Sequence, residues 1–327
     1  MRVGVSILSF MSRCGWAWVT NEGTEMRYFQ LNIRGESHVA VETTDDTLVD
    51  LTAISPHANG VLDLLRTASM MGTDIDHVAR SIVDRSSGGS TISLSDVEDA
   101  TAQGSGPVTY GLPLVPPEVW AVGVTYSDSM RERQAESDTP DVYAKVYTAD
   151  RPEIFFKATP DRVSAPFHEV GIRDDSDWDV PEPELAFVVF DGVVAGYTVG
   201  NDMSSRTIEG INPLYLPQAK IYDRSCSIGP CFATRETVGN PQALNVRLRI
   251  ERDGVEAFNG TTSTSEMIRD CDYLADWLQR HNPVPDGTTV LTGTGVIPPP
   301  EFTLAGGDVV SIDIEKIGTL TNKVVVV

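Results

Sequence analysis

The chain has 327 residues, enough to bury a sizeable core as one large domain with a smaller companion. It carries 47 acidic against 25 basic residues, a formal net charge of -22, and only five lysines: Lys145, Lys157, Lys220, Lys316 and Lys323. No basic stripe exists to neutralise phosphates, so nucleic acid is a poor partner, and no stretch approaches the ~18 apolar residues of a membrane span.

The acidic charge is spread along the chain, and a hydrophobic content of 41% argues against disorder. An evenly acidic, lysine-poor surface suits a protein dissolved in concentrated salt, where screening removes self-repulsion. The expectation is a halophilic cytoplasm. Cys14, Cys226, Cys231 and Cys271 show neither a disulfide framework nor zinc spacing, which fits free thiols in a reducing cytosol.

Residues 1–25 contain a short apolar segment without a clean cleavage signal and are read as an extension upstream of a start at Met26. From Met26 onward short β-like runs alternate with turns, beginning with MetArgTyrPheGlnLeu. Apolar residues three and four apart predict helices over 59–71 and 74–83, and SerSerGlyGlySer at 86–90 predicts a loop. The proline-rich GlyLeuProLeuValProPro at 111–117 marks a boundary. A small amino-terminal α+β domain is therefore expected over 26–112 and a larger domain over 113–327.

The second domain opens with a buried strand at 119–126 that runs into SerAspSerMetArgGluArgGlnAlaGluSerAsp. That pattern alone fits a solvated surface helix; its functional reading is a lid that orders over a substrate. The strand at 152–158 places Lys157 behind two phenylalanines. A lysine so placed commonly snorkels its ammonium to the surface.

The densest chemistry lies at 176–206. Glu182 and Glu184 bracket Pro183 at the entrance of LeuAlaPheValValPhe; the turn pair Asp191-Gly192 follows, and a second apolar run ends at Asp202. Two β-rich runs around Asp-Gly predict a hairpin. Residues two apart on a strand share a face, so Glu182 and Glu184 point together and the hairpin returns Asp202 towards them. Three converging carboxylates repel unless something positive sits between them. Oxygen-only ligands of this kind suit hard cations, Mg2+, Mn2+ or Ca2+ alike, rather than zinc. The bland alternative is acid crowding at a solvated strand end, but the position hard against an apolar run favours a metal.

Beyond Arg206, Lys220 is followed by Asp223 and Arg224. It either forms a structural ion pair with them or faces the carboxylates as a stabiliser of a developing oxyanion. A strand at 245–252 enters an Asp253-Gly254 hairpin turn, and 262–279 reads as an amphipathic helix with a SerThrSerGlu capping box. ThrValLeuThrGlyThrGly at 289–295 is a strand entering a glycine-bracketed turn, either an ordinary turn or a backbone cradle for an anion. Two further strands close the chain. The fold class is mostly β with some α.

Taken in order, several stretches resemble the fumarylacetoacetate hydrolase family. They are ValGlyValThrTyrSerAsp (122–128), GluProGluLeuAla (182–186), GlyTyrThrValGlyAsnAspMetSerSerArg (196–206), AlaLysIleTyrAspArgSerCysSerIleGlyPro (219–230), LeuThrGlyThrGly (291–295) and the run at 307–322. The resemblance implies a mixed β-roll with Mg2+ held by Glu182, Glu184 and Asp202. It places Lys220 beside the substrate and Thr294 at the substrate carboxylate, with Tyr126 and Arg206 as further substrate-binding residues. It also implies a 2-oxo acid substrate and a homo-oligomer, dimer or tetramer.

One departure is informative. Hydrolytic members carry a histidine after the entrance aspartate; here Asp128 is followed by Ser129, although Glu132 stands where their glutamate would. Serine is no general base near neutrality, which argues against carbon–carbon hydrolysis. With ArgProGluIlePhePheLysAla, AspSerAspTrpAspValProGluProGlu and IleGluGlyIleAsnProLeuTyrLeuProGlnAlaLys, the chain is similar to the family's 2-keto-3-deoxy-pentonate dehydratase branch. That implies Mg-dependent dehydration of 2-keto-3-deoxy-D-arabinonate, the same compound as from D-xylonate, to 2,5-dioxopentanoate in oxidative pentose degradation. Lys220 and Glu132 are the expected proton-transfer residues. The rivals are a hydrolase of acylpyruvates or 2,4-diketo sugar acids, and a binding protein that lost the chemistry; the retained Lys220 argues against the latter.

Overall fold

A computed structural model describes residues 26–44, 46–85, 91–127 and 145–327. The expected extension over 1–25, the loop at 86–90, Ser129, Glu132 and most of the polar segment around them lie outside the described residues.

The amino-terminal part supplies β1 (Arg27–Ile33), β2 (Glu36–Thr44), β3 (Thr47–Asp50), α1 (Leu51–Ile54), α2 (Val61–Met71), α3 (Ile75–Val83), β4 (Thr91–Ser93), α4 (Leu94–Ala102) and β5 (Val108–Tyr110). Then come β6 (Val119–Gly123), β7 (Glu153–Ala158), β8 (Val163–Ser164), β9 (Glu169–Ile172) and β10 (Asp179–Val180). The central hairpin is β11 (Pro183–Phe190) and β12 (Val193–Asp202), followed by β13 (Ser204–Ser205), α5 (Arg206–Ile211), α6 (Leu216–Lys220), β14 (Cys226–Thr234) and α7 (Arg235–Val238). The chain closes with β15 (Asn245–Arg252), β16 (Val255–Ser263), α8 (Cys271–Gln279), β17 (Thr289–Leu291), β18 (Val309–Ile314) and β19 (Gly318–Val326).

These strands make a 12-stranded sheet, ordered β4-β3-β2-β1-β14-β12-β11-β17-β6-β7, with β5 on β1 and β8 on β14. A five-stranded sheet, β16-β15-β18-β19-β9, packs against it, and β10 pairs with β13. The amino-terminal strands join the rest through β1 and β14, which pair antiparallel at Arg27↔Ala233 and Tyr28↔Phe232.

Alternation along β11 shows why this order is stable. All eight of its residues are buried, because both faces of the strand are covered. Leu185, Phe187 and Val189 enter the cluster shared with Leu248, Ile312 and Ile314 of the smaller sheet. Val188 and Phe190 point the other way, into a cluster with Leu64, Leu65 and Ala68 of α2 and Val78 and Ile82 of α3. Truncating a fully buried phenylalanine such as Phe187 would cost ~3–5 kcal/mol.

Local chemistry sets the element ends. Asp191 (φ 49°) and Gly192 (φ 74°) both adopt positive φ in a two-residue turn, which matches the twist of the β11–β12 strands. α2 stops at Gly72, which takes the left-handed conformation, and α3 starts where Asp74 accepts from His77 N at 2.6 Å. One sequence expectation fails. Residues 262–279 are not one helix: Thr262 and Ser263 finish β16, paired with β15, and a short 3-10 turn intervenes. The helix begins at Cys271 with Asp270 as its cap, accepting from Tyr273 N at 2.7 Å. The β-branched Thr261-Thr262 pair and the Asp253-Gly254 turn outweigh the local capping-box pattern.

Candidate active site

The β11–β12 register builds the site. Pro183 lies opposite Asn201 and Glu184 opposite Gly200, so Glu182 arrives beside Asp202, whose N–H donates to Glu182 O at 3.0 Å. Glu182, Glu184 and Asp202 each offer an oxygen lying within 4.8 Å of the others, and all three side chains are buried. Ser205 caps α5, accepting from Ile208 N at 3.2 Å, and this sets the helix whose first residue is Arg206. α6 delivers Lys220 at its last position.

The contacts are unevenly shared. Glu182 accepts from Arg206 Nη2 at 3.0 Å and from Lys220 Nζ at 2.8 Å. Asp202 accepts from Lys220 Nζ at 3.1 Å through Oδ2 and is ion-paired through Oδ1 with Lys157 Nζ at 2.5 Å. Lys220 also donates to Ser204 Oγ at 2.5 Å. Glu184 accepts from the Gly293 backbone N–H at 2.6 Å and has no ion-paired basic side chain among the described residues. Burial, with the neighbouring Asp202 and Glu182 charges, pushes its carboxyl well above the usual carboxylate range.

This donor set fits a hard divalent cation. It is all oxygen and desolvated, and one of its three carboxylates lacks a charged partner of its own. Lys220 thus faces the carboxylates and not Asp223 or Arg224. The snorkelling expectation for Lys157 is overturned: the side chain is 0% exposed, because Asp202 and two backbone carbonyls meet its ammonium inside the fold.

A cavity of about 310 Å³ opens beside the cluster, walled by Glu182, Asp202, Lys220, Gly293, Thr294 and Phe155. Thr294 reaches this wall, while its hydroxyl donates to Val296 O at 3.1 Å. Tyr126 is buried next to Gly295, and Arg206 stands behind Glu182; neither forms part of the cavity wall described here. Glu132 lies outside the described residues. Arg151, Glu153 and Glu209 complete the polar wall, and sequence reasoning did not single them out. Glu209 had a usable signal: it follows Arg206 by three residues, hence on the same face of α5, and both are buried. Among the described residues the wall contains no histidine.

Comparison with known proteins agrees with this geometry. Residues 118–325 match the family model described as fumarylacetoacetate (FAA) hydrolase C-terminal. A probable 2-keto-3-deoxyxylonate dehydratase from Haloferax volcanii is 48% identical over 302 residues, spanning 92% of this chain and 100% of that protein. The 2-dehydro-3-deoxy-D-arabinonate dehydratase of Saccharolobus solfataricus is 44% identical over 218 residues, 65% of this chain and 73% of that one. Among solved structures, a 2-keto-3-deoxy-D-arabinonate dehydratase complexed with magnesium and 2,5-dioxopentanoate superposes with a TM-score of 0.76 at 33% identity, covering 92% of this chain and 99% of the other. The match over most of the carboxyl-terminal two thirds, together with 48% identity over 92% of the chain, establishes that the chain belongs to the fumarylacetoacetate hydrolase family.

Proposed function

We propose that the protein is a hydro-lyase that dehydrates 2-keto-3-deoxy-D-arabinonate to 2,5-dioxopentanoate, with Mg2+ held by Glu182, Glu184 and Asp202. The observation that carries this is the buried carboxylate triad with Lys220 on its rim, in a chain 48% identical over 92% of its length to a probable 2-keto-3-deoxyxylonate dehydratase. When bound, the metal supplies Lewis acidity that draws charge from a 2-oxo acid and acidifies its C3 protons.

The chain's own residues would do the rest. Lys220 spends its three N–H donors on Glu182, Asp202 and Ser204, so it must turn one of them to the substrate to stabilise charge growing on the C2 oxygen. Thr294 and its neighbouring backbone would receive the substrate carboxylate at the cavity wall. A proton leaves C3, the C4 hydroxyl departs as water, and a proton shift from C5 gives the aldehyde, for a net loss of one water. Glu132 and Lys220 are the proposed proton carriers. Ser129, standing where hydrolytic members carry a histidine, supports elimination over hydrolysis. The acidic surface supports a salt-rich cytoplasm, and no described helix is long and apolar enough to cross a membrane. A homo-oligomer, dimer or tetramer, is part of the same proposal.

Incubation with 2-keto-3-deoxy-D-arabinonate and Mg2+ should produce 2,5-dioxopentanoate, detected by aldehyde trapping. Absence of product at both low and high salt would overturn the assignment, and release of two acids from a 2,4-diketo acid would replace it with hydrolysis.

A further inference from the structure

Lys157 belongs neither to the carboxylate triad nor to the cavity wall, yet its ammonium reaches the centre of the site. It projects from β7 and is 0% exposed. Its Nζ pairs with Asp202 Oδ1 at 2.5 Å, donates to Met203 O at 3.0 Å, and donates to the carbonyl of Lys220. An ammonium has three N–H bonds, and three acceptors surround this one. It is fully enclosed by these groups and stands outside the cavity wall, so its role must be exerted through its neighbours.

We propose that Lys157 is the positioning residue of this site, fixing the Asp202 carboxylate and the Lys220 helix end relative to each other. The partners support this pairing. Asp202 closes β12 and Lys220 closes α6, elements separated in sequence by β13 and α5, and Lys157 ties both to the strand β7. The last carbonyls of a helix have no partner within it, and the Lys157 donor meets the one belonging to Lys220. Holding Asp202 by Oδ1 leaves Oδ2 directed at Lys220. No neutral side chain offers three donors from one atom. The inference rests on the proposed metal role of Asp202, but its test does not require the proposed substrate.

The experiment is calorimetric titration of Mn2+ and Mg2+ into the metal-free full chain, for wild type, Lys157→Met and Lys157→Gln. Outer partners of a ligand typically account for ~10–100-fold in metal affinity, so Lys157→Met should weaken binding by that factor. Lys157→Gln keeps a donor for one of the three acceptors and should recover part of the loss. Affinity that is unchanged or tighter in Lys157→Met would overturn the proposal, since a mere counter-charge would repel the metal and its removal would help. If Lys157→Met does not fold, Lys157→Gln decides alone, with a weakening of at least several-fold expected and none overturning the idea. Absence of metal binding by wild type would instead strike the metal assignment.

Discussion

The backbone N–H of Gly293 donates to Glu184 Oε2 at 2.6 Å, joining residues 109 positions apart because β17 pairs with β11 next to the hairpin. Gly293 sits at φ 91°, and a Cβ there would fall 2.1 Å from Thr125 Oγ1. Gly293→Ala should therefore move the turn away from Glu184. We expect activity to fall by about 100-fold, as for an ångström-scale misplacement of a reacting group. Steady-state kinetics, with circular dichroism to verify folding, check this.

Lys220 carries the proposed charge stabilisation, so Lys220→Met should reduce kcat by ~10²–10³-fold. The same change leaves Glu182 and Asp202 with one fewer buried cation, a loss that costs ~3–5 kcal/mol when a buried pair is broken from one side. Parallel kinetics and urea unfolding of the metal-free protein separate the two effects. A variant of full activity would exclude Lys220 from the chemistry.

Proton release should accompany metal binding. The Glu184 carboxyl is raised by burial and by Asp202 and Glu182, so the metal-free fold favours a proton there, and a ligand oxygen must surrender it. Metal affinity should then rise with pH, and calorimetry in buffers of different ionisation enthalpy should record protons released. Glu184→Gln should abolish both the release and most of the affinity. Equal affinity at low and high pH would contradict this account.

Asp76 offers a stability test remote from the site. On α3 it accepts from Tyr28 Oη at 2.7 Å and from Thr234 Oγ1 at 3.3 Å, and burial raises its carboxyl from the ordinary 3.8 to about 6. Between these values the native state keeps a proton the unfolded chain has lost, so stability is fullest below 3.8 and falls as pH rises through about 6. The whole shift corresponds to ~3 kcal/mol as an upper bound. Asp76→Asn, which keeps an acceptor for Tyr28, should unfold later than wild type at pH above this window and lose the slope across it. Thermal unfolding as a function of pH is the measurement.

Salt should stabilise the native chain. Its formal charge of -22 is self-repelling when dilute, and added ions screen repulsion between surface groups. The unfolding temperature should climb steadily from dilute to molar KCl. A flat response would show that the surface charge is already compensated within the fold.

Much of this was legible in the sequence because the informative patterns were local. The Asp191-Gly192 turn between two apolar runs fixes a register, and the register alone puts Glu182 beside Asp202. The same local logic located α2 and α3. It failed at 262–279, where serine and threonine could cap a helix or finish a strand and the partner strand β15 decided the matter. It also failed for Lys157. A lysine after two phenylalanines has a surface route by default, and only the long-range placement of β7 against Met203 and Lys220 supplies buried acceptors instead. Glu209 and Glu153 reach the cavity through helix phase and sheet order, neither of which a motif of adjacent residues encodes.

The Tyr28↔Phe232 pairing bears on how the molecule could be cut. β14 has β12 on one flank and is met by both β8 and β1 besides, so severing the chain ahead of Val119 would leave its Phe232–Ala233 end as a raw edge. A fragment consisting of the family region alone should therefore clump when expressed, and should recover when residues 26–112 are supplied as a separate polypeptide. The seam is thus a natural place for a split reporter, in which reconstitution of the sheet is read out by return of turnover.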